Sequence, residues 1–498
     1  MSRYLHALKL ALTGDGRTPL VFLCNFEVEE QWAAHHVGLP ALTGRAPAPV
    51  VTRMDELGVL LAGPADTVLL HRPMDPEYRA YLEETGFELP TVRTPAQVAA
   101  DRSTTGALLD SPADLRHLAR LGQDGARLLP MGVSVAEQKL AEVAGLPLAV
   151  GDAAVFEAVN SKIYSRRIAA ELGLRPVPGT CVESVGELAG ALSAYRGDLP
   201  TDGGTGGALV VKDAYGVSGK GLVVLDSAAK ADRLLTMVTR RARRTGDDRL
   251  AVVVERWLPR AADLNYQLTI GRTGGVSLDF VKRAHTRGGV HQGHTFPADL
   301  GPAHLAEVEQ AAQAVGRRLF ADGFTGVAGV DAIIDTDGVL YPVLEINARL
   351  NMSTYQGGVA ERYATAGQVV LARHYPLRLA APLPFAAVRA ALGPLLGPAP
   401  AAATGPDAAT APGGAAAPGG ATAASAPGGA TASGGADVPS GRVVVTCFAT
   451  VNAEADHVRP PFDGRLHLML FAADAPRLAD LDAAVTAALA PLNHQENR

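Results

Sequence analysis

Cysteine is scarce: Cys24, Cys181 and Cys447 stand far apart in a chain of 498 residues. Isolated thiols offer neither a disulfide framework nor a thiolate metal cluster, and they suit a reducing compartment. Long apolar runs are missing too. No stretch of about 18 apolar residues occurs, so no membrane-spanning helix is expected. The start, "MSRYLHALKLALTGDGRTPLVFLCN", splits two short apolar stretches with charges, glycine and proline. It lacks the apolar core and small-residue cleavage site of a signal peptide, and a cytoplasmic protein is expected. Positive charge is not in excess: 45 Lys and Arg stand against 51 Asp and Glu, for a net charge of −6 and a pI near 6.1. Nothing in that balance argues for nucleic acid or an anionic membrane as partner. No repeat of about 20–50 residues is found.

What is present reads as an ordinary globular chain, 47% hydrophobic and 19% charged, long enough for about three domains. Residues 1–150 alternate apolar runs with helical patterns. "PLVFLC" (19–24) and "DTVLLH" (66–71) read as buried strands, and "MDPEYRAYLEETG" (74–86) as a helix with Pro76 near its start and Gly86 past its end. Such alternation predicts an α/β domain with a parallel sheet. Residues 395–440 are almost all Ala, Gly, Pro, Ser and Thr, and predict a disordered linker. Residues 441–498 then read as two strands and a helix, a small αβ appendage dispensable for nucleotide binding.

The sharpest patterns lie at 151–378. "LVVKDAYGVSGKGLVVLD" (209–226) reads as strand, glycine-rich loop, strand. The loop is Ala214, Tyr215, Gly216, Val217, Ser218, Gly219, Lys220 and Gly221, and its glycines let backbone N–H groups approach phosphate oxygens. It is no Walker A loop, because Ala214 replaces the first Gly and Gly221 the Ser or Thr after the Lys. A plain hairpin turn would explain it equally well, were it not for Lys212. That residue ends the apolar strand where an ammonium could reach a phosphate. In "AVVVERWLPRAADLNYQLTI" (251–270), an apolar strand ends in Glu255, followed by a hinge and another strand. Glu255, Leu258 and Asp263 could serve an adenine and a ribose; taken singly, each is as well explained as a surface residue.

"GVAGVDAIIDTDGVLYPVLEINARLN" (326–351) reads as a hairpin turning at "DTDG". A bulged Gly338 would set Asp331 opposite Val343, and parity then puts it on the face of Glu345 and Asn347. In "LEINARLN", Glu345, Asn347, Arg349 and Asn351 alternate with apolar residues and so share one face. A lone polar face is usually just solvated. Two carboxylates and an amide, however, suit Mg²⁺ (or Mn²⁺), which takes oxygen ligands and completes its shell with substrate phosphates. Arg349 could hold a phosphate oxygen.

Lys162 in "NSKIYSRR", Lys212 with its loop, "VVERWL", Asp331 in "GVDAIID" and "EINAR" come in the order of the ATP-grasp fold, which residues 151–378 resemble. "PLVFLCNFEVEEQWA" resembles the pre-ATP-grasp domain that precedes it in certain natural-product ligases, of the pheganomycin peptide ligase and butirosin carrier-protein glutamate ligase types. The resemblance implies a mixed α/β fold, ATP and Mg²⁺ as cofactors, and roles for single residues. Lys162, Lys212 and the loop Tyr215–Gly221 would contact phosphates. Glu255, Arg256 and Leu258 would flank the adenine and Asp263 the ribose. Asp331, Glu345 and Asn347 would hold the metal, and Arg349 would stabilise an acyl phosphate. Some members carry an arginine where this chain has Gly329, and a glutamate where it has Asp263. The implied activity is an ATP-dependent carboxylate–amine ligase acting on amino acids or peptides. A thiol on an acyl carrier protein as acceptor, phosphorylation without ligation, and a non-catalytic nucleotide-binding module are the alternatives.

Weaker signals complete the reading. "KRAHTRGGVHQGHTF" (282–296) predicts a mobile loop over the site, with Arg283 reaching a γ-phosphate or substrate carboxylate. Its His285, His291 and His294 suit a base better than a zinc site, since no cysteine or carboxylate completes one. "TRRARR" (239–244) is by default a solvated basic helix end, and alternatively a docking patch for an acidic carrier protein. Cys181 reads as structural, and the helix at 306–323 as core packing.

Overall fold

A computed structural model describes residues 1–40, 49–98, 102–200, 207–216, 221–287, 290–397 and 441–494. Val217, Ser218, Gly219 and Lys220 of the glycine-rich loop, and nearly all of the Ala/Gly/Pro-rich stretch, lie outside the described residues.

The fold is mixed α/β and carries three sheets. In the first, β1 (Leu20–Leu23), β2 (Thr67–Leu69), β3 (Thr91–Arg93) and β4 (Arg127–Pro130) run parallel in the order β3-β2-β1-β4. Its strands are short, and helices make the crossovers that parallel pairing requires. The helix Pro76–Glu84 starts where expected. The Asp75 side chain accepts from the N–H groups of Glu77 and Tyr78, Pro76 opens the first turn, and Gly86 takes φ +87° beyond the end.

The second sheet is antiparallel: β5 (Gly179–Ser184), β6 (Ala208–Asp213), β7 (Leu222–Leu225) and β8 (Arg249–Trp257), in the order β5-β8-β6-β7. The third has eight antiparallel strands: β9 (Arg260–Ile270), β10 (Val276–Arg287), β11 (Val290–Phe296), β12 (Gly326–Asp335), β13 (Leu340–Asn347), β14 (Val369–Leu379), β15 (Arg442–Cys447) and β16 (Phe462–Ala472). Their order is β13-β12-β9-β10-β11-β14-β16-β15.

Two expectations are corrected here. Residues 282–287 and 290–296, expected in a mobile loop over the site, instead lie in β10 and β11, which pair antiparallel inside the sheet. The C-terminal segment is not an appendage either, since β16 pairs with β14 from Val369↔Ala472 to Leu379↔Phe462. Sequence alternation signals strands but cannot say which edge they join.

One face of the large sheet is apolar. Leu264, Tyr266, Leu268 and Ile270 of β9 pack against Val308, Ala312, Val315 and Leu319 of the helix Pro302–Ala321, which is core as expected. The opposite face carries Asn265, Gln267 and Lys282, all buried, and Asp331, which is half-buried. The β12–β13 turn has the expected bulge, with Gly338 at φ +77° and the Asp335 carboxylate accepting from the N–H groups of Asp337 and Val339.

Candidate functional site

Lys162 opens the helix Lys162–Glu171, whose N-terminus is capped by Ser161. Its Nζ donates to the Gly216 carbonyl at 2.6 Å and to Glu345 Oε1 at 2.7 Å. The helix therefore ties the glycine-rich loop of the small sheet to the polar face of the large one. Lys212 on β6 points the same way as Glu255 on the neighbouring β8, and their charged groups meet at 2.6 Å.

Glu255 departs from the sequence reading. It does not end its strand, since β8 continues to Trp257. Its buried carboxylate also accepts from Arg166 at 2.9 Å, so it sits between two cations. The Arg256 side chain points to the other side of the sheet, onto Asp198 at 2.7 Å. Leu258 lies half-buried in the link between β8 and β9. Asp263 is engaged by Arg260 at 2.6 Å and by the Thr286 hydroxyl at 2.7 Å. Arg283, expected on a mobile loop, is an exposed strand residue donating to the Ala261 carbonyl. His285 bonds to the Thr295 hydroxyl, and burial followed by the charge of Arg283 lowers its pKa. Among the described residues no group of three or more His, Cys, Asp or Glu could hold a metal ion, and the His291 side chain lies outside the described residues.

The register of β12 and β13 brings the expected metal residues together, though not by the expected pairing. Asp331 faces Glu345 directly, not Val343, and Gly329 faces Asn347. An irregularity between Asp331 and Ile333 moves the pairing by two residues, which keeps the face. Asp331 accepts from Asn265 Nδ2 at 2.8 Å and from Asn347 Nδ2 at 3.2 Å. Burial first, and the charge of Glu345 second, push the Asp331 carboxyl up to about 6. Like charges directly across a strand pair repel. Two carboxylates and an amide oxygen in that position fit a small hard cation whose remaining ligands come from phosphate and water.

Lys162, Tyr215, Gly216, Glu345 and Asn347 line one pocket, to which Glu29, Trp32 and Asn160 also contribute. These last three were not found by sequence reasoning. Glu29 follows β1 at the carboxyl end of the parallel sheet, a position where α/β domains place ligand groups. It matters because Arg349 Nε donates to Glu29 Oε1 at 2.7 Å, while its other arm reaches Asn347 Oδ1 at 3.1 Å. The first domain thus holds the arginine of the metal face. Gly329, where some members of the resembling family have arginine, has no room for a side chain: a Cβ there would lie 2.6 Å from Asn351 Nδ2.

Comparisons with known proteins follow the same line. Residues 54–146 match the family model described as "Pre ATP-grasp domain". The chain is 27% identical, over 68% of its length and 74% of the relative's, to the [butirosin acyl-carrier protein]–L-glutamate ligase of Niallia circulans. It is 22% identical, over 54% of its length and 25% of the relative's, to the carbamoyl phosphate synthase arginine-specific large chain of Bacillus subtilis. Among solved structures, the ADP complex of N5-carboxyaminoimidazole synthetase from Staphylococcus aureus is similar with a TM-score of 0.49 and 12% identity, covering 94% of this chain and 97% of that one. Residues 54–146 are thus similar to a pre-ATP-grasp domain, and most of the chain is similar to a ligase that acts with an acyl-carrier protein.

Proposed function

We propose that the protein is an ATP-dependent ligase that activates a carboxylate and joins it to an amine. The observation that carries this reading is the meeting of Lys162, Glu345, Asn347 and Asp331 where two sheets face one another, with Arg349 beside them. Transfer of a phosphoryl group needs positioning and charge neutralisation rather than a protein nucleophile. Lys162 and Lys212 would neutralise phosphate oxygens, exchanging their present carboxylate partners for the nucleotide. Asp331, Glu345 and Asn347 would hold Mg²⁺, which when bound supplies Lewis-acid neutralisation of the phosphate charge.

In the proposed reaction the substrate carboxylate oxygen takes the γ-phosphoryl group, the bond from that phosphorus to the β-bridging oxygen breaks, and ADP leaves. The amine nitrogen then bonds to the acyl carbon, phosphate departs, and the amine proton passes to a base or to water. Arg349 would balance the charge of the acyl phosphate between the two steps.

A second reading has a carrier-protein thiol as acceptor. It is supported by the relative's printed activity. Arg240, Arg243 and Arg244, exposed near the end of the helix Ala228–Thr245, would suit an acidic carrier. The test is an ADP-release screen over amino acids, with and without amine acceptors and carrier protein, plus a hydroxylamine trap. Hydroxamate with ADP supports carboxylate activation, and AMP in place of ADP would refute it. Amide or thioester product separates the two acceptors.

A further inference from the structure

Four lysines of the described residues have buried or nearly buried ammonium groups, and three follow one pattern. Lys9 meets Asp66 at 2.6 Å, Lys162 meets Glu345 at 2.7 Å, and Lys212 meets Glu255 at 2.6 Å. Lys282 breaks it. It is 2% exposed, lies over the rings of Phe280 and Phe296 at 4.3 and 4.4 Å, and has no carboxylate partner among the described residues. Its Nζ donates only to the Ser353 carbonyl at 3.3 Å and to Gln356 Oε1 at 3.0 Å. An unpaired ammonium costs too much to bury, so a lysine kept in such a place is either neutral or awaits an anion.

Its place in the sheet says which anion. Lys282 faces Asn265, Asn265 faces Asp331, and Asp331 faces Glu345, one residue from each of four adjacent strands. The same row that carries the metal face therefore ends at a lysine. Buried polar atoms with no hydrogen-bond partner lie around it: Asn351 Nδ2 and Ser353 Oγ at the start of the helix Met352–Tyr363, and Asn265 Oδ1. Ser353 is 1% exposed. Native proteins rarely leave such polar atoms unmatched, and several together call for a ligand or ordered water.

We propose that Lys282, Asn351 and Ser353 seat a carboxylate of the substrate, directly beside the metal face. This rests on the ligase reading and names the side from which its carboxylate substrate is held. An ammonium and two neutral donors suit an anion with several acceptor lone pairs. Burial alone lowers the Lys282 pKa to about 7, and an anion in the seat would restore its charged form.

The test uses the full chain with ATP, Mg²⁺ and hydroxylamine, screened over the common amino acids and a set of dipeptides. The compound giving most hydroxamate is then titrated against wild type, Lys282→Met, Lys282→Gln and Ser353→Ala, with a melting curve for each. In both Lys282 variants its KM should rise about 30-fold or more, as expected when one partner of a buried charge pair is removed. The Ser353 variant should show a few-fold rise, near the value of one hydrogen bond. The KM for ATP should stay within about twofold in all three, since none touches the phosphate side. An unchanged substrate KM in both Lys282 variants overturns the seat while leaving the ligase reading intact. Unfolding of both variants assigns Lys282 to packing and also overturns it. Absence of hydroxamate from wild type with every compound removes the ligase reading, and the seat with it.

Discussion

On β9, Leu264, Tyr266, Leu268 and Ile270 sit in an apolar core, while Asn265, Gln267 and Thr269 between them face amides, hydroxyls and carboxylates. The two faces are about equally sealed from solvent. What differs is how each is satisfied. The apolar face is held by packing, which tolerates a change of shape at a cost in stability. The polar face is held by specific partners, and where partners run out among the described residues, at Asn351 Nδ2 and Ser353 Oγ, the structure points to something that comes and goes. Burial alone therefore does not mark a residue as structural.

The largest effect should come from extending the apolar side of this contrast to the C-terminal strands. Ending the chain at residue 397 removes β15 and β16 and strips β14 of its partner along eleven residue pairs. Core residues such as Val445, Leu468 and Phe471 go with them. The shortened chain should be insoluble or lack a cooperative melt, and a soluble, cooperatively melting product would show that the strands are dispensable.

Next in size is Leu268→Ala, which leaves a cavity against the helix Pro302–Ala321 and should cost about 2–5 kcal/mol. Turnover per folded molecule should be unchanged. Denaturant unfolding and active-site-normalised rates measure the two, and a turnover loss exceeding the stability loss would blur the distinction between faces.

Glu29→Gln tests the polar side at its rim. Removing the charge that orients Arg349 should raise the KM for ATP about fivefold, or about 1 kcal/mol, with the melting temperature nearly constant. An unchanged KM would make the Glu29–Arg349 pair a purely structural clasp.

The smallest effect concerns Asp279, which accepts from Gln267 and Thr269 and has no ion-pair partner among the described residues. Burial pushes its carboxyl up to about 6 from the usual 3.8. A raised carboxyl contributes stability that is complete below about pH 4 and lost as pH rises through about 6. Asn at this position keeps both acceptor contacts and carries no charge. The melting temperature of Asp279→Asn should therefore gain on wild type between pH 4 and pH 7, and a constant difference across that range would show that Asp279 is not strained by burial.

The parallel sheet, the helix Pro76–Glu84 and the β12–β13 hairpin were legible in the sequence because each rests on local signals: apolar runs, a Pro start, a bulged glycine. The shared face of Asp331, Glu345 and Asn347 was legible because strand parity survives a two-residue slip. What was missed is long-range. Nothing local pairs Glu29 with Arg349 across 320 residues, or sends β16 to the edge of β14. Glu255 looked like an open strand end because its two cations come from Arg166 and Lys212, on other elements. His285 and Arg283 read as loop residues because glycines around them suggested flexibility, where tertiary pairing makes strands.

The central claim is that the polar face of "EINARLN" holds the metal and phosphates. It is tested most directly by ADP formation and melting curves of Glu345→Ala and Asn347→Ala. Turnover should fall by about a thousandfold or more in each, the scale of losing a principal charge-stabilising group, while the melting temperatures stay close to wild type. Near-normal turnover in both variants would contradict the account.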